Sequence, residues 1–298
     1  KTAYEIRNCD WSSDVCSSDL GLSPDDIEVV AGDTQGIEQG VGTFASRAAV
    51  TGGTAVALAT QAVRTKARRL AAHLLDVDES EVEQDGKSFF RRGRTNYRVE
   101  LADLAGAAAY AGVDHGVEPG LGATRYFQPA DITYSSGAHV ALVEVDGESG
   151  HVRVLGYWVC HDCGPTINPT VVEGQLHGAV SLGISSALLE SVHYDANGQQ
   201  LAGSFMDYAM PRASDIPNFE LDHLETASPH NPLGLKGVGE SGTLPVPAVL
   251  ASAIEDALSE ETSAQGPAVR QMPLTTGAMA RLLGLSRREH LDGAPDTP

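Results

Sequence analysis

Positive charge is scarce in this sequence: 20 Lys+Arg stand against 40 Asp+Glu over 298 residues, a formal net charge of −20. Nucleic acid and anionic lipid carry the same sign, so electrostatic binding to either is excluded as a working idea. Cysteine is scarce as well. Four in a chain of this length are too few for a disulfide scaffold and agree with a reducing, cytoplasmic compartment. No uninterrupted apolar run approaches the length that crosses a bilayer, and the first residues lack the charged-then-apolar pattern of a secretory signal. What is present is ample apolar material: 42% hydrophobic against 20% charged residues, enough to bury a sizeable core in one large domain or two modest ones.

The opening stretch, Lys1 to Leu20, has no apolar periodicity and repeats Ser-Ser-Asp. Its run Asp14-Val15-Cys16-Ser17-Ser18-Asp19-Leu20 matches the translation of a common DNA-sequencing adapter. Residues 1–20 are therefore expected to be an artefact without order, with the authentic chain starting near Gly21. Cys9 and Cys16 then lose their meaning.

Beyond Gly21, residues 25–34 alternate like a short strand ending in a Gly-Asp turn. Val56, Ala59, Val63, Ala67, Leu70 and Leu74 recur at three- and four-residue steps and predict a long helix from Gly52-Gly53 to about Asp76. Residues 81–100, with an Asp85-Gly86 turn, read as a hairpin, and Leu101 to Ala111 as a short helix. After a Gly/Pro-containing connection, Ala138 to Val145 and Val152 to Val159 flank Asp146-Gly147-Glu148-Ser149-Gly150, a hairpin signal. A helix over about 171–189, a second hairpin around Asp195-Ala196-Asn197-Gly198 and a strand over 219–226 follow. Residues 228–247 form a long Gly/Pro-rich loop, then a helix with Pro247 in its first turn, a last helix over 276–285 and a frayed tail. Strands in hairpins with helices between them give an α+β class with mixed sheets and packed helices. The expected division is 21–120 and 121–290, with 291–298 as tail.

Three segments could carry chemistry. Gly40-Val41-Gly42-Thr43-Phe44-Ala45-Ser46-Arg47, between a strand and a helix, has the outline of an anion cradle, with glycine backbone, two hydroxyls and a guanidinium as donors; taken alone, a glycine turn with helix caps is the preferred reading. The spacing matches neither a P-loop nor a dinucleotide fingerprint. Cys160-His161-Asp162-Cys163 is a lone Cys-x-x-Cys at a strand end, short of the four ligands of a structural zinc site and away from the helix N-terminus that activates a redox dithiol. Gln175, near the start of an apolar helix and beside glycines, offers a planar heterocycle one donor and one acceptor, or lies on the helix surface. The third segment, Asn231-Pro232-Leu233-Gly234-Leu235-Lys236-Gly237-Val238-Gly239-Glu240-Ser241-Gly242-Thr243, is the most telling. A carboxylate between glycines packs badly but projects well into a pocket, where desolvation would suit it to act as a general base and Lys236 would oppose that as a charge partner. A solvated loop carboxylate is the plain alternative.

In this order the segments resemble the molybdenum-binding large subunit of the xanthine oxidase family, in the branch of aerobic carbon monoxide dehydrogenase and aldehyde or isoquinoline oxidoreductases. The resemblance runs through Gly42-Thr43-x-x-Ser46-Arg47, Asp162-Cys163-Gly164-x-x-Ile167-Asn168-Pro169, Glu173-Gly174-Gln175-x-His177-Gly178, Gly203-Ser204-Phe205-Met206-Asp207-Tyr208 and Pro232-Leu233-Gly234-x-Lys236-Gly237-Val238-Gly239-Glu240. It implies a molybdopterin cytosine dinucleotide held by Thr43, Ser46, Arg47, Cys163, Gln175, Lys236, Gly237, Val238 and Gly239. Glu240 matches the family's catalytic base, which deprotonates a water or hydroxide on the metal for attack on an electron-poor carbon. Electrons then leave through an iron–sulfur small subunit and an FAD-binding medium subunit. No protein ligand to the metal is implied, and none is expected here.

The resemblance also implies about half a large subunit before Gly21. This chain is therefore expected to be a C-terminal fragment with an incomplete pocket and no turnover by itself, acting within the whole subunit on an aldehyde or N-heterocycle. The rival expectation is a catalytically inactive fragment or paralogue that keeps the fold as a binding or assembly module. A zinc protein built on Cys160 and Cys163 is the third.

Overall fold

In the computed structural model of the chain, residues 20–33, 42–111, 119–259 and 269–285 are described; the expected artefact up to residue 19 and the tail from residue 286 lie outside them. The chain divides into two units. The first takes the sequence up to Tyr134 together with Gly164–Pro169 and Thr226–Gly237; the second takes Ser135–Cys163, Thr170–Glu225 and the chain from Val238 onward.

In the first unit, helix α1 (Thr54–Leu74) follows a wide turn over Ala49–Gly53 and stops where Asp76 turns left-handed at φ 51. Strands β1 (Val82–Asp85), β2 (Ser88–Arg91) and β3 (Arg94–Glu100) form an antiparallel meander in that order, and helix α2 (Leu101–Ala111) follows directly. The expected hairpin thus gains a third strand, and its turn is the expected Asp85-Gly86, with Asp85 opposite Ser88. Ala67, Leu70 and Ala71 of α1 bury against Val82, Phe89, Leu104 and Ala108. Burying a leucine or phenylalanine this fully contributes about 1.5–3 kcal/mol. Arg68 fastens helix to sheet, its guanidinium donating to the carbonyls of Glu79 (3.0 Å) and Val82 (2.9 Å).

In the second unit, β4 (Ser136–Val145) and β5 (Val152–Asp162) pair antiparallel, and β6 (Phe219–Leu224) lies parallel to β5 on its other side, with Tyr157 opposite Phe219. The β4–β5 turn is held by Asp146, whose Oδ1 accepts from the N–H groups of Glu148 (2.8 Å) and Ser149 (3.3 Å). A parallel neighbour requires a crossover, and helix α3 (Pro169–Leu188) is part of it. Helices α4 (Val246–Ser259) and α5 (Thr276–Leu282) complete the unit, with Pro247 in the first turn of α4. One face of the sheet, with Val154, Tyr157 and Val159, buries against Val180 and Ile184 of α3 and Val246, Leu250 and Ile254 of α4. Sheets of both polarities with interspersed helices are the α+β class the sequence predicts.

Two local expectations are corrected. Residues 27–33 form no strand, and the chain instead makes a single 3-10 turn at Pro24–Asp26. A strand persists only where a neighbouring strand takes its backbone groups; none of the described strands forms a ladder with this stretch, and Val29 and Val30 lie exposed. The second hairpin shrinks to one bridge between Tyr194 and Gln200. Its apolar flanks are too short for a ladder, and the Asp195 carboxylate closes the turn instead by accepting from the N–H groups of Asn197 and Gln199.

Candidate functional site

Within the first unit, the turn after Gly42 is shaped by consecutive left-handed residues, Ala45 (φ 52) and Ser46 (φ 53), a conformation that costs a non-glycine residue about 1–2 kcal/mol. Phe44 O accepts from Arg47 N–H (3.3 Å), and Arg47 O accepts from both the N–H and the hydroxyl of Thr51. The Arg47 guanidinium lies 5.2 Å from the centre of the Phe44 ring. Thr43 and Arg47 are exposed and Ser46 is half-buried.

The same unit holds the loop that ends at Gly237, and the two meet there. A Cβ on Gly237 would stand 2.8 Å from both the Cβ and the carbonyl oxygen of Ser46, so only glycine permits this approach. Gly237 N–H also donates to Thr133 O at 3.3 Å. Upstream the loop packs on the segment that follows β5: Gly164, at φ +71, lies so close to Gly234 O that a Cβ there would clash with it. Ser46, Lys236 and Gly237, expected at one site from segments far apart in sequence, are thus carried on adjoining backbone.

The second unit assembles the remaining segments in a similar way. Gln175 is exposed on α3, and Gly174 and Gly178 beside it have open space where a side chain would stand. Val238 to Leu244 wind through a compact turn before α4: Val238 O accepts from the Ser241 hydroxyl (2.9 Å) and Glu240 O from Thr243 N–H (3.1 Å). This turn seats on α3. A Cβ on Gly242 would stand 2.8 Å from Ala179 Cβ and 3.4 Å from the carbonyl oxygen of Leu176, the residue after Gln175. Glu240 is exposed, two residues before that seat. Cys163 is buried just beyond β5, and Cys160 lies within β5 opposite Ala138 and Asp222. No group of three or more His, Cys, Asp or Glu side chains is placed to hold a metal among the described residues.

Two side chains to which the sequence reading gave no role hold nearby backbone in place. Glu190 accepts from the hydroxyls of Ser185 and Tyr208 (2.8 Å), tying residues 204–208 to the end of α3; that bond raises the Tyr208 hydroxyl above its ordinary pKa. Asn231, which is buried, closes the 231–235 turn through its side-chain amide. A helix-terminal glutamate and an Asn-Pro step were visible in the sequence, but their partners were not.

Comparison with known proteins gives these positions a context. Residues 12–217 match the profile of the molybdopterin cofactor-binding domain. The chain belongs to that family. It is 37% identical over 234 residues to the carbon monoxide dehydrogenase large chain of Hydrogenophaga pseudoflava, covering 78% of this chain and 29% of that one. It is 36% identical over 269 residues to the nicotine 6-hydroxylase large subunit of Paenarthrobacter nicotinovorans, covering 90% of this chain and 32% of the relative. Among solved structures, quinoline 2-oxidoreductase from Pseudomonas putida 86 superposes with a TM-score of 0.81 at 33% identity, over 92% of this chain and 34% of that chain. This chain therefore spans about a third of the length of the relatives it matches.

The residues present fit a pterin nucleotide. In the first unit Gly42, followed by Thr43 and Arg47, leaves open space beside backbone that a phosphorylated group can approach, and in the second unit Gly174 and Gly178, flanking Gln175, do the same for a flat group.

Proposed function

We propose that this chain is part of the molybdenum-binding large subunit of a molybdenum hydroxylase, an oxidoreductase that hydroxylates an aldehyde or N-heterocyclic carbon with oxygen from water. The reading places it in the cytoplasm with an iron–sulfur subunit, an FAD-binding subunit and the rest of the large subunit as partners. Family membership and the named relatives support this reading.

The observation that carries it is the seating of the Glu240 turn on α3 through Gly242 and Leu176, one residue from Gln175. The group to be held is molybdopterin cytosine dinucleotide. When bound, it supplies a metal that activates a water-derived nucleophile and accepts two electrons. The chain's own residues do the rest. Thr43, Ser46 and Arg47 donate hydrogen bonds to the phosphates, and Lys236 adds charge. Gly237, whose N–H is taken by Thr133 O, holds the stretch against Ser46, and Val238 and Gly239 offer their backbone N–H groups. Gln175 reads a planar edge with its amide, and Cys163 lies behind the strand end. Glu240 removes a proton from the nucleophile, a role worth about 10²- to 10⁴-fold in rate.

The test is Glu240→Gln in the assembled enzyme. Its amide keeps the size and loses the base, so the chemical step should fall by at least a hundredfold while molybdenum and nucleotide per chain stay at the parental level. Parental turnover in that variant would remove Glu240 from the reaction, and a parent free of molybdopterin nucleotide would overturn the reading as a whole.

A further inference from the structure

Beyond the residues expected to touch the cofactor, one buried side chain controls where they stand. Asn231 is 7% exposed and Leu235 is 4% exposed. The Asn231 amide makes a closed pair of bonds to Leu235, Nδ2 donating to its carbonyl at 2.8 Å and Oδ1 accepting from its N–H at 2.9 Å. Two backbone bonds finish the knot: Gly234 N–H donates to Asn231 O (3.1 Å) and Ser228 N–H to Gly234 O (2.8 Å). At this depth water cannot replace the amide, so losing it leaves both Leu235 backbone groups unsatisfied.

The chain leaves this knot at Leu235, and the next residues are Lys236 and Gly237, the latter packed on Ser46. The direction in which the loop exits is therefore set by Asn231.

We propose that Asn231 is a positioning residue of the cofactor loop: by clamping both backbone groups of Leu235 it fixes Lys236 and Gly237 against the Ser46 turn. This rests on the reading of the loop as the molybdopterin-binding loop. It adds a residue that touches neither cofactor nor substrate.

The experiment uses the assembled enzyme with Asn231→Asp, nearly isosteric but without the donor, and Asn231→Ala. Three readouts are followed: amide hydrogen exchange at Leu235 to Gly237 against that of α1, molybdenum and nucleotide retained after gel filtration, and kcat per bound molybdenum with KM. Exchange at Leu235 to Gly237 should rise at least tenfold with α1 unchanged, retention should fall at least threefold, and kcat per bound molybdenum at least tenfold with KM within twofold. A merely structural role would lower thermal stability and leave kcat per bound molybdenum where it was. Retention and kcat of Asn231→Asp within twofold of the parent overturn the proposal while leaving the cofactor reading intact. A parent without molybdopterin nucleotide overturns both. Failure of both variants to assemble overturns it too, since Asn231 would then serve the stability of the unit and not the aim of the loop.

Discussion

Adding one methyl group at Gly242 tests whether the Glu240 turn is held by its seat on α3. The new Cβ would stand 2.8 Å from Ala179 Cβ, whereas carbon atoms in good contact sit about 3.5–4.0 Å apart. The turn must back away by most of an ångström, because Ala179 is buried on a helix and cannot yield. Overpacking of this kind costs about 1–3 kcal/mol. A misplacement near 1 Å at a reacting group costs about 10²-fold in rate. Gly242→Ala should therefore lower both denaturant stability and turnover in those ranges. The decisive control is Ala179→Gly, which deletes the clashing atom; the remaining neighbours, Leu176 O and Cα, would lie at 3.4 and 3.5 Å. Alone, Ala179→Gly costs about 1 kcal/mol as a helix glycine. Combined, the two changes should couple favourably by at least about 1 kcal/mol and recover most of the lost turnover. A double-mutant cycle with coupling within about 0.5 kcal/mol of zero would refute the steric argument.

Gly164→Ala should be harsher, since Gly164 is left-handed and its Cβ would clash with Gly234 O; equilibrium unfolding should show a loss of about 2–5 kcal/mol. His139 should make stability fall in mild acid. Burial holds its pKa below the ordinary 6.5, so the unfolded chain binds more protons between those two values; stability is full above about pH 6.5 and declines as pH drops below it, and His139→Gln should flatten that slope in denaturant midpoints from pH 5 to 7. Metal analysis after extensive dialysis should find no stoichiometric zinc. Cys160→Ser/Cys163→Ser should leave that result unchanged, since the described residues offer those thiols no cluster of ligands.

Much of the fold was legible because local chemistry decides it. The apolar spacing from Val56 to Leu74 marks α1 within a few residues, and Asp146-Gly147-Glu148-Ser149-Gly150 marks the β4–β5 turn, whose carboxylate does make the bonds such a sequence suggests. What was not legible depends on distant partners. Residues 25–34 carry strand-like alternation without a strand, because alternation states a preference and only a neighbour satisfies it. The parallel pairing of β6 with β5 leaves no local trace. The candidate site shows the same contrast: the glycine-rich segments stood out by composition, but the meeting of Gly237 with Ser46, and of Gly242 with α3, could be known only from coordinates. Asn231 was in view only as the first residue of the third segment; that its amide grips Leu235 was not.

The first unit draws on short stretches, Gly164–Pro169 and Thr226–Gly237, that interrupt the second. No single cut in the gene can separate the two. Any contiguous truncation ending before Gly237 deprives the first unit of its last segment, and a ribosome has released all three strands of the second unit's sheet before the first has its full complement of chain. Attempts to express either unit alone will need circular permutation or a designed linker in place of a simple stop codon.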